Sequence, residues 1–90
     1  MSELKVIKAD ERSRYELIAD GEVAGFADYV AYGEAVRLTH TEIDSRHGGK
    51  GYGSKLAAAV IADIRAQGKD VVAECDFMAA YLKKQAAGSP

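Results

Sequence analysis

A glycine-rich segment between a strand-like run and a helix-like run constrains this chain more than any other feature. Four of the nine glycines fall within six positions, from Gly48 to Gly53. The run Ala35 to Ile43 leads into this segment, and a run with helical periodicity leaves it and continues to Gln67. Glycine lets backbone N–H groups turn toward a ligand, and a helix N-terminus adds unpaired donors and a positive dipole end. The segment therefore predicts a site for a phosphate or pyrophosphate group.

Two common phosphate-binding motifs fail in this segment, and a third fits. A P-loop needs lysine and then serine or threonine after its second glycine, but Ser54 comes before the lysine here. A dinucleotide fingerprint, G-x-G-x-x-G, would need its third glycine at Ser54. The pattern of arginine or glutamine, two variable residues, glycine, one variable residue and a small residue fits Arg46, Gly49 and Gly51. Taken alone, this short pattern is equally compatible with a turn that binds nothing.

Length and composition limit the classes of protein to consider. The chain has 90 residues, enough for one small domain over 1–90, and its net charge of −2 argues against a sequence-independent nucleic-acid binder. No apolar run reaches the length of a membrane span, and the first residues have no signal-peptide core. A single cysteine excludes an internal disulfide and fits a reducing compartment. We expect a cytoplasmic protein without a nucleic-acid or membrane partner.

Periodicity and turn residues predict an α+β fold: an antiparallel β-meander, then a helix, a strand paired in parallel, and a C-terminal helix. The predicted strands are a short one over Leu4–Ile7, then Tyr15–Ala19, Glu22–Tyr32, Ala35–Ile43 and Val71–Ala73, and the predicted C-terminal helix spans Phe77–Gln85.

Residues with turn or capping preferences mark the ends of these elements. Asp20-Gly21 predicts a type I′ hairpin turn, and Gly68 stands where a glycine ends the first helix. Asp76 is available as the N-cap of the last helix, and residues 86–90 are expected to be a frayed tail. Within the first helix, apolar residues form one stripe that needs a sheet to cover: Leu56, Ala57, Val60, Ile61 and Ile64.

Three segments together resemble the minimal, single-domain members of the GNAT N-acetyltransferase superfamily. The residues that carry the resemblance are Thr39-His40-Thr41-Glu42-Ile43, Gly49-Lys50-Gly51-Tyr52-Gly53-Ser54-Lys55-Leu56, and Cys75 with Phe77 and Tyr81. The chain departs from that family at Glu74 and Asp76, where proline usually flanks the cysteine, and after Gln85, where a His-Pro segment usually follows. These departures bear on the acceptor substrate and on activity more than on cofactor binding.

The resemblance implies that acetyl-CoA binds in a cleft where the third meander strand and the last strand splay apart. Pantetheine would follow the strand backbone near Thr41 to Ile43 as an additional, pseudo-strand partner. The pyrophosphate would lie on the glycine loop, with Arg46 and Lys50 neutralising its charge. The implied cofactor-binding residues are Thr41, Ile43, Arg46, Gly49, Lys50, Gly51, Tyr52, Gly53 and Ser54.

Acetyl transfer to an amine also requires groups that move protons. Tyr81, one turn into the last helix, is a candidate acid for the leaving thiolate, although it also fits a core aromatic packed with Phe77. Glu42 and His40 lie on one face of a regular strand, and either could deprotonate an amine, although both also fit ordinary polar positions in a sheet.

Cys75 is a candidate nucleophile, but its acidic neighbours disfavour a thiolate, and a small half-buried apolar residue is the better interpretation. No His or Cys cluster has metal-ligand spacing, so no metal is expected.

These observations predict an acetyl-CoA-dependent N-acetyltransferase that acts by direct attack of an amine of unidentified structure. The alternative is a non-catalytic module that binds CoA or acyl-CoA. A plain nucleotide-binding protein is disfavoured because both standard motifs fail. The sequence does not indicate whether the acceptor is a protein lysine, an N-terminus, a polyamine or another small amine.

Overall fold

The computed structural model describes residues 3–49 and 51–87, which form five strands, two helices and two short 3₁₀ turns. The strands are β1 (Leu4–Ala9), β2 (Arg14–Ala19), β3 (Glu22–Tyr32), β4 (Ala35–Ile43) and β5 (Asp70–Ala73). The helices are α1 (Tyr52–Ala66) and α2 (Asp76–Ala87), and the 3₁₀ turns are Asp10–Arg12 and Ser45–His47.

The strands form one sheet in the order β1-β2-β3-β4-β5. The first four strands pair antiparallel, and β5 pairs in parallel with β4 after the α1 crossover. This arrangement confirms the α+β fold class predicted from the sequence. The predicted bounds of β3 and β4 agree with the structure at both ends, whereas β2 and β5 each begin one residue earlier than predicted.

The turn predictions at Asp20-Gly21 and Gly68 are confirmed by backbone geometry. Asp20 and Gly21 have φ angles of +49° and +85°, as both central positions of a type I′ turn require. Gly68 has φ +74°, and its N–H donates to the carbonyl of Arg65. The next N–H, of Lys69, donates to the carbonyl of Ile64, so α1 ends in a Schellman motif.

One face of the sheet packs against α1 and α2 and contains the core. The predicted stripe of α1 is buried along its whole length. Tyr15, which is 3% exposed, donates from its hydroxyl to Asp63 of α1 at 2.6 Å, and burial followed by this bond raises the pKa of Tyr15. The largest fully buried side chains are Leu17, Leu38, Leu56, Val60, Ile64 and Met78.

The opposite face of the sheet, which we call the open face, is covered by no helix in the described part of the chain. Its residues follow from strand alternation and register: Arg14 and Glu16 in β2, Phe26 and Asp28 in β3, and Arg37, His40 and Glu42 in β4. A second helical layer is therefore absent from the described residues, and polar and apolar side chains are mixed on this face.

The start and end of α2 differ from the prediction. Asp76 is the first residue of the helix, and the first helical hydrogen bond runs from the N–H of Ala79 to the carbonyl of Cys75 at 3.0 Å. Cys75, not Asp76, therefore occupies the N-cap position. The helical backbone continues to Ala87, so the first two residues of the predicted frayed tail are helical, and 88–90 lie outside the described residues.

Candidate functional site

The sheet opens between β4 and β5, the last two strands in the sheet order. The two strands pair only over Ala35–Leu38 and Asp70–Ala73. The N–H groups of Glu74 and Cys75 both donate to the carbonyl of Leu38, at 2.9 and 3.2 Å, after which the chain turns into α2. In the described part of the chain, β4 from residue 39 to residue 43 consequently has no strand on its β5 side. We call this segment the splayed edge.

A β-bulge in β4 decides which side chains of the splayed edge lie on which face. Asp28 pairs with His40 and Tyr29 pairs with Leu38, which leaves Thr39 as the extra residue. Regular alternation would have placed His40 and Glu42 on the same face as buried Leu38. The bulge instead places them on the open face and places Thr41 and Ile43 on the helical side.

Thr41 and Ile43 contact the start of both helices. The Thr41 hydroxyl lies 3.3 Å from the Cys75 sulfur, at the N-cap of α2. The side chain of Ile43 approaches Gly53 in the first turn of α1, because a Cβ built on Gly53 would lie 3.7 Å from Ile43 Cγ1. The splayed edge thus contacts the starts of both helices.

Arg46, the predicted partner of a phosphate, is paired within the loop. The Asp44 carboxylate accepts from the backbone N–H of Arg46 at 2.9 Å and from its guanidinium at 2.8 to 3.2 Å. These bonds, the side-chain bonds first, lower the pKa of Asp44 to about 2. Sequence analysis missed Asp44, although an aspartate two residues before an N–H that it caps is a recognised turn signal. Binding of phosphate by Arg46 would require its guanidinium to exchange or share this partner.

The glycines of the loop have different structural roles. Gly49 and Gly51 have φ angles of +77° and +73°, and a Cβ built on either would meet no atom within 4 Å. Glycine is favoured there by backbone conformation, and the space beside both residues is open. Gly51 is the N-cap of α1 and provides no side-chain capping bond. Lys50, a predicted phosphate ligand, lies outside the described residues.

Gly53 does not have a positive φ, so backbone conformation does not explain the glycine there. Packing explains it instead. A Cβ on Gly53 would lie 2.7 Å from Cζ of Phe77, so the phenyl ring rests directly on the first turn of α1. Tyr52, the first residue of α1, stacks on His47 with ring centroids 5.4 Å apart, and His47 is partly buried. The glycine loop is thus fixed at both ends by aromatic contacts.

Tyr81 lines a groove between α1 and α2 of about 180 Å³. The other lining residues are Ser54, Phe77, Ala80 and Lys84. The Tyr81 ring is partly buried against the core, as expected for a packed aromatic, and its hydroxyl has no hydrogen bond to any described residue. The structure therefore brings the candidate acid and Ser54 of the predicted phosphate site to the same groove.

His40 and Glu42 form a pair on the open face. His40 Nε2 lies 2.7 Å from a Glu42 carboxylate oxygen, and both side chains are more than half exposed. Glu42 also lines a groove of about 390 Å³ with Arg14, Val23, Ala24, Gly25, Phe26 and Asp44, which we call the open-face groove. The candidate base therefore lies on the opposite side of the splayed edge from Tyr81.

Cys75 is partly buried and lies beside the splayed edge. Its neighbour Glu74 is held by Arg37 through two hydrogen bonds of 2.6 and 2.8 Å, so that carboxylate is neutralised by a partner on the open face. Within residues 3–49 and 51–87, no group of three or more His, Cys, Asp or Glu side chains could hold a metal ion. No helix of the described residues is long and apolar enough to cross a membrane.

Comparisons with known proteins agree with this geometry. Residues 14–88 match the family model described as GCN5-related N-acetyl-transferase. The solution structure of a GCN5-like candidate N-acetyltransferase from Staphylococcus aureus aligns with a TM-score of 0.71 at 22% identity, over 97% of this chain and 85% of that chain. The crystal structure of the ribosomal-protein-S18-alanine N-acetyltransferase from Escherichia coli aligns with a TM-score of 0.70 at 14% identity, over 98% and 77%. Among curated proteins, none matches the sequence significantly.

Proposed function

Because this chain belongs to the GCN5-related N-acetyltransferase family, we propose that it transfers the acetyl group of acetyl-CoA to a primary amine. N-acetyl transfer is the general activity of that family, and the family assignment disfavours the alternative of a non-catalytic CoA-binding module. The observation that carries the choice of acetyl-CoA is the continuity of the splayed edge, the glycine loop and the start of α1 along the chain. Acetyl-CoA has an amide-containing arm that matches the splayed edge and a pyrophosphate group that matches the glycine loop and the start of α1.

The pyrophosphate is proposed to bind at the start of α1. The first turn of a helix has N–H groups without partners inside the helix and carries the positive end of the dipole. The positive φ angles of Gly49 and Gly51 and the open space beside them suit close approach of an anion. The pantetheine amides are proposed to bond to the backbone of the splayed edge at Thr41 and Ile43. The residues proposed for the pyrophosphate are Arg46, Gly49, Lys50, Gly51, Tyr52, Gly53 and Ser54.

The chemistry proposed for the amine uses the His40–Glu42 pair. The base removes one proton from the ammonium form and releases it to solvent, and the amine nitrogen then attacks the acetyl carbonyl carbon. The new C–N bond forms as the C–S bond breaks, the base takes the remaining excess proton from the nitrogen, and the thiolate receives a proton from the Tyr81 hydroxyl. The base then loses its proton to solvent and Tyr81 regains one from solvent. The base and the acid act from opposite sides of the splayed edge, so the amine and the thioester meet at that edge.

Direct attack is favoured over a covalent acetyl-cysteine by the surroundings of Cys75. Its sulfur contacts the Thr41 hydroxyl, and no histidine or cationic side chain makes a hydrogen bond or ion pair with it among the described residues. A cysteine nucleophile is usually activated by such a neighbour. The amine, by contrast, has a candidate base on its own side of the sheet.

The experiment that tests this function measures CoA binding and turnover separately. At a CoA concentration of about 100 times Kd, binding should stabilise the folded chain by about 2.7 kcal/mol, which a thermal shift detects. Pantetheine without the pyrophosphate is the matched ligand control, and we expect it to give a smaller shift. Release of free CoA thiol with a panel of amines then measures turnover. No thermal shift at millimolar CoA would remove the cofactor proposal, and binding without any amine turnover would remove the catalytic one.

A further inference from the structure

The open-face groove contains an arginine whose hydrogen-bonding capacity is unused. The Arg14 guanidinium lies over the Phe26 ring, 4.1 Å from its centroid. It forms ion pairs with Glu16 at 3.8 Å and with Asp28 at 3.5 Å, but it makes no hydrogen bond to any described residue, and its Nε is buried without one. Arg12, in contrast, makes two hydrogen bonds to Glu16, at 3.2 and 3.3 Å. The two terminal nitrogens of Arg14 therefore retain donors that can pair with a carboxylate, whereas its buried Nε is out of a ligand's reach.

The same groove contains a carboxylate that forms no ion pair with a lysine or arginine among the described residues. Asp44 lines the groove but is held by the Arg46 guanidinium. Glu42 pairs instead with His40, at 2.7 Å. The Glu42 side chain is 62% exposed, so it is accessible from the groove. An ammonium group is the natural partner for this carboxylate.

Two acidic residues lie beside Arg14. They repel an added carboxylate less strongly than two unpaired carboxylates would, because arginines pair with them. Glu16 is shared between two arginines, Arg12 and Arg14, and is 4% exposed. These two arginines together balance Glu16 and Asp28 in formal charge, and Glu11, 3.8 Å from Arg12, is largely exposed to solvent. The Arg14 end of the groove is thus close to neutral, and the other end carries the exposed Glu42 carboxylate.

The spacing of the two ends limits the size of the ligand. In the sheet register, Arg14 is opposite Asp28, which is opposite His40, and Glu42 lies two residues beyond His40 on β4. Two strand spacings of about 4.8 Å and a two-residue rise of about 6.8 Å place the Cα atoms of Arg14 and Glu42 roughly 12 Å apart. Arg14, Phe26 and Glu42 line the same groove of about 390 Å³, which has room for a short bifunctional molecule.

We propose that the acceptor of this enzyme is a free amino acid, whose carboxylate binds Arg14 and whose amine lies beside the His40–Glu42 pair. This inference rests on the proposed function and specifies its substrate class. It assigns Arg14 as the residue that selects a carboxylate-bearing amine and Phe26 as the surface on which the guanidinium is held flat. The acetylation step is unchanged: the amine nitrogen forms the C–N bond, the thioester C–S bond breaks, and the base takes the amine proton.

The test compares L-alanine and glycine with ethylamine, which lacks the carboxylate, at equal concentrations of the free base. We expect kcat/KM to be at least tenfold higher for the amino acids. Arg14→Gln should reduce this ratio at least tenfold, and Arg14→Lys, which keeps the charge without the fork, should retain part of it. Arg37→Gln is the matched control, because it removes an arginine of the open face that pairs with Glu74 and does not line the groove, and it should leave the ratio unchanged. Thermal unfolding of each variant verifies folding.

The outcomes separate this inference from the proposed function. Turnover of ethylamine equal to that of the amino acids, or an unchanged ratio in folded Arg14→Gln, would overturn the amino-acid proposal and leave N-acetyl transfer intact. If no amine is acetylated, the proposed function fails. Binding of L-alanine to the groove then tests the amino-acid proposal separately. L-alanine should shift the amide resonances of Arg14 and Phe26 in wild type and not in Arg14→Gln; no shift in wild type overturns the proposal.

Discussion

The contact between Gly53 and Phe77 provides a test in which two effects of known size oppose each other. Gly53 lies in the first turn of α1, where alanine is a better helix former than glycine. A Cβ at this position would lie 2.7 Å from Cζ and 3.1 Å from Cε1 of Phe77, so the ring must move. Phe77 is 40% exposed, so it can rotate toward solvent, at the cost of its buried contacts.

The expected magnitudes decide the sign of Gly53→Ala. The gain in helix propensity is at most about 1 kcal/mol. Full burial of a phenylalanine side chain contributes about 1.5 to 3 kcal/mol, so loss of the buried part of Phe77 costs about 1 to 2 kcal/mol. We therefore expect Gly53→Ala to destabilise the wild type by about 0 to 1 kcal/mol. In a Phe77→Ala background the ring is absent, and Gly53→Ala should stabilise by up to about 1 kcal/mol.

A double-mutant cycle measured by urea unfolding gives the coupling between the two positions. The wild type, both single variants and the double variant are required, and the expected coupling energy is about 1 to 2 kcal/mol. The reasoning is refuted if Gly53→Ala stabilises both backgrounds equally, because the ring would then not lie on the first turn of α1. Equal destabilisation in both backgrounds would also refute it, because Ile43 Cγ1, at 3.7 Å, lies at an ordinary contact distance.

Three further predictions concern the loop and the candidate catalytic groups. Gly51→Asn should destabilise the fold less than Gly51→Ala, since asparagine tolerates the φ of +73°. Thermal unfolding should show a difference of about 1 kcal/mol between the two variants. Equal losses would contradict a left-handed residue at position 51. Tyr81→Phe should lower kcat with little change in CoA affinity, whereas Cys75→Ala should keep most activity. A covalent route would be established by two results together: an acetyl adduct on Cys75 in intact-mass measurements, and an inactive Cys75→Ala that still binds CoA. Because Arg46 lowers the pKa of Asp44 from 3.8 to about 2, the stability from that pair is present above pH 4 and lost as pH falls toward 2. Asp44→Asn should therefore reduce the fall in melting temperature between pH 4 and pH 2.

The predictable part of the fold is the part that local residues determine. The limits of β3 and β4 were predicted correctly because Asp20-Gly21 and Gly33 enforce turns that separate the strands. The end of α1 was predicted because glycine at position 68 is the residue that a Schellman motif favours. The start of α2 was not, since an aspartate is equally suited to the N-cap and to the first turn, where its charge meets the same dipole.

The candidate site is less predictable, because its side chains are oriented by contacts between distant parts of the chain. The pairing of Arg46 with Asp44 is local and could have been found from the spacing. The position of Phe77 on Gly53 and that of Arg14 over Phe26 depend on elements that meet only in the folded sheet. Sequence reasoning therefore located the loop but did not show that packing against Phe77 also favours glycine at position 53, the last glycine of the loop.

The bulge at Thr39 determines which side chains of β4 lie on each face of the sheet. Without the extra residue, His40 and Glu42 would share the face of buried Leu38, and Thr41 and Ile43 would face away from the helices. The glycine loop would then follow a strand whose apolar side chain pointed away from α1. With the bulge, one side of the splayed edge packs toward the helix starts, and the other presents the His40–Glu42 pair to the open-face groove. A single inserted residue, for which the strand sequence contains no turn signal, thus determines that the proposed cofactor and acceptor sites lie on opposite sides of the sheet.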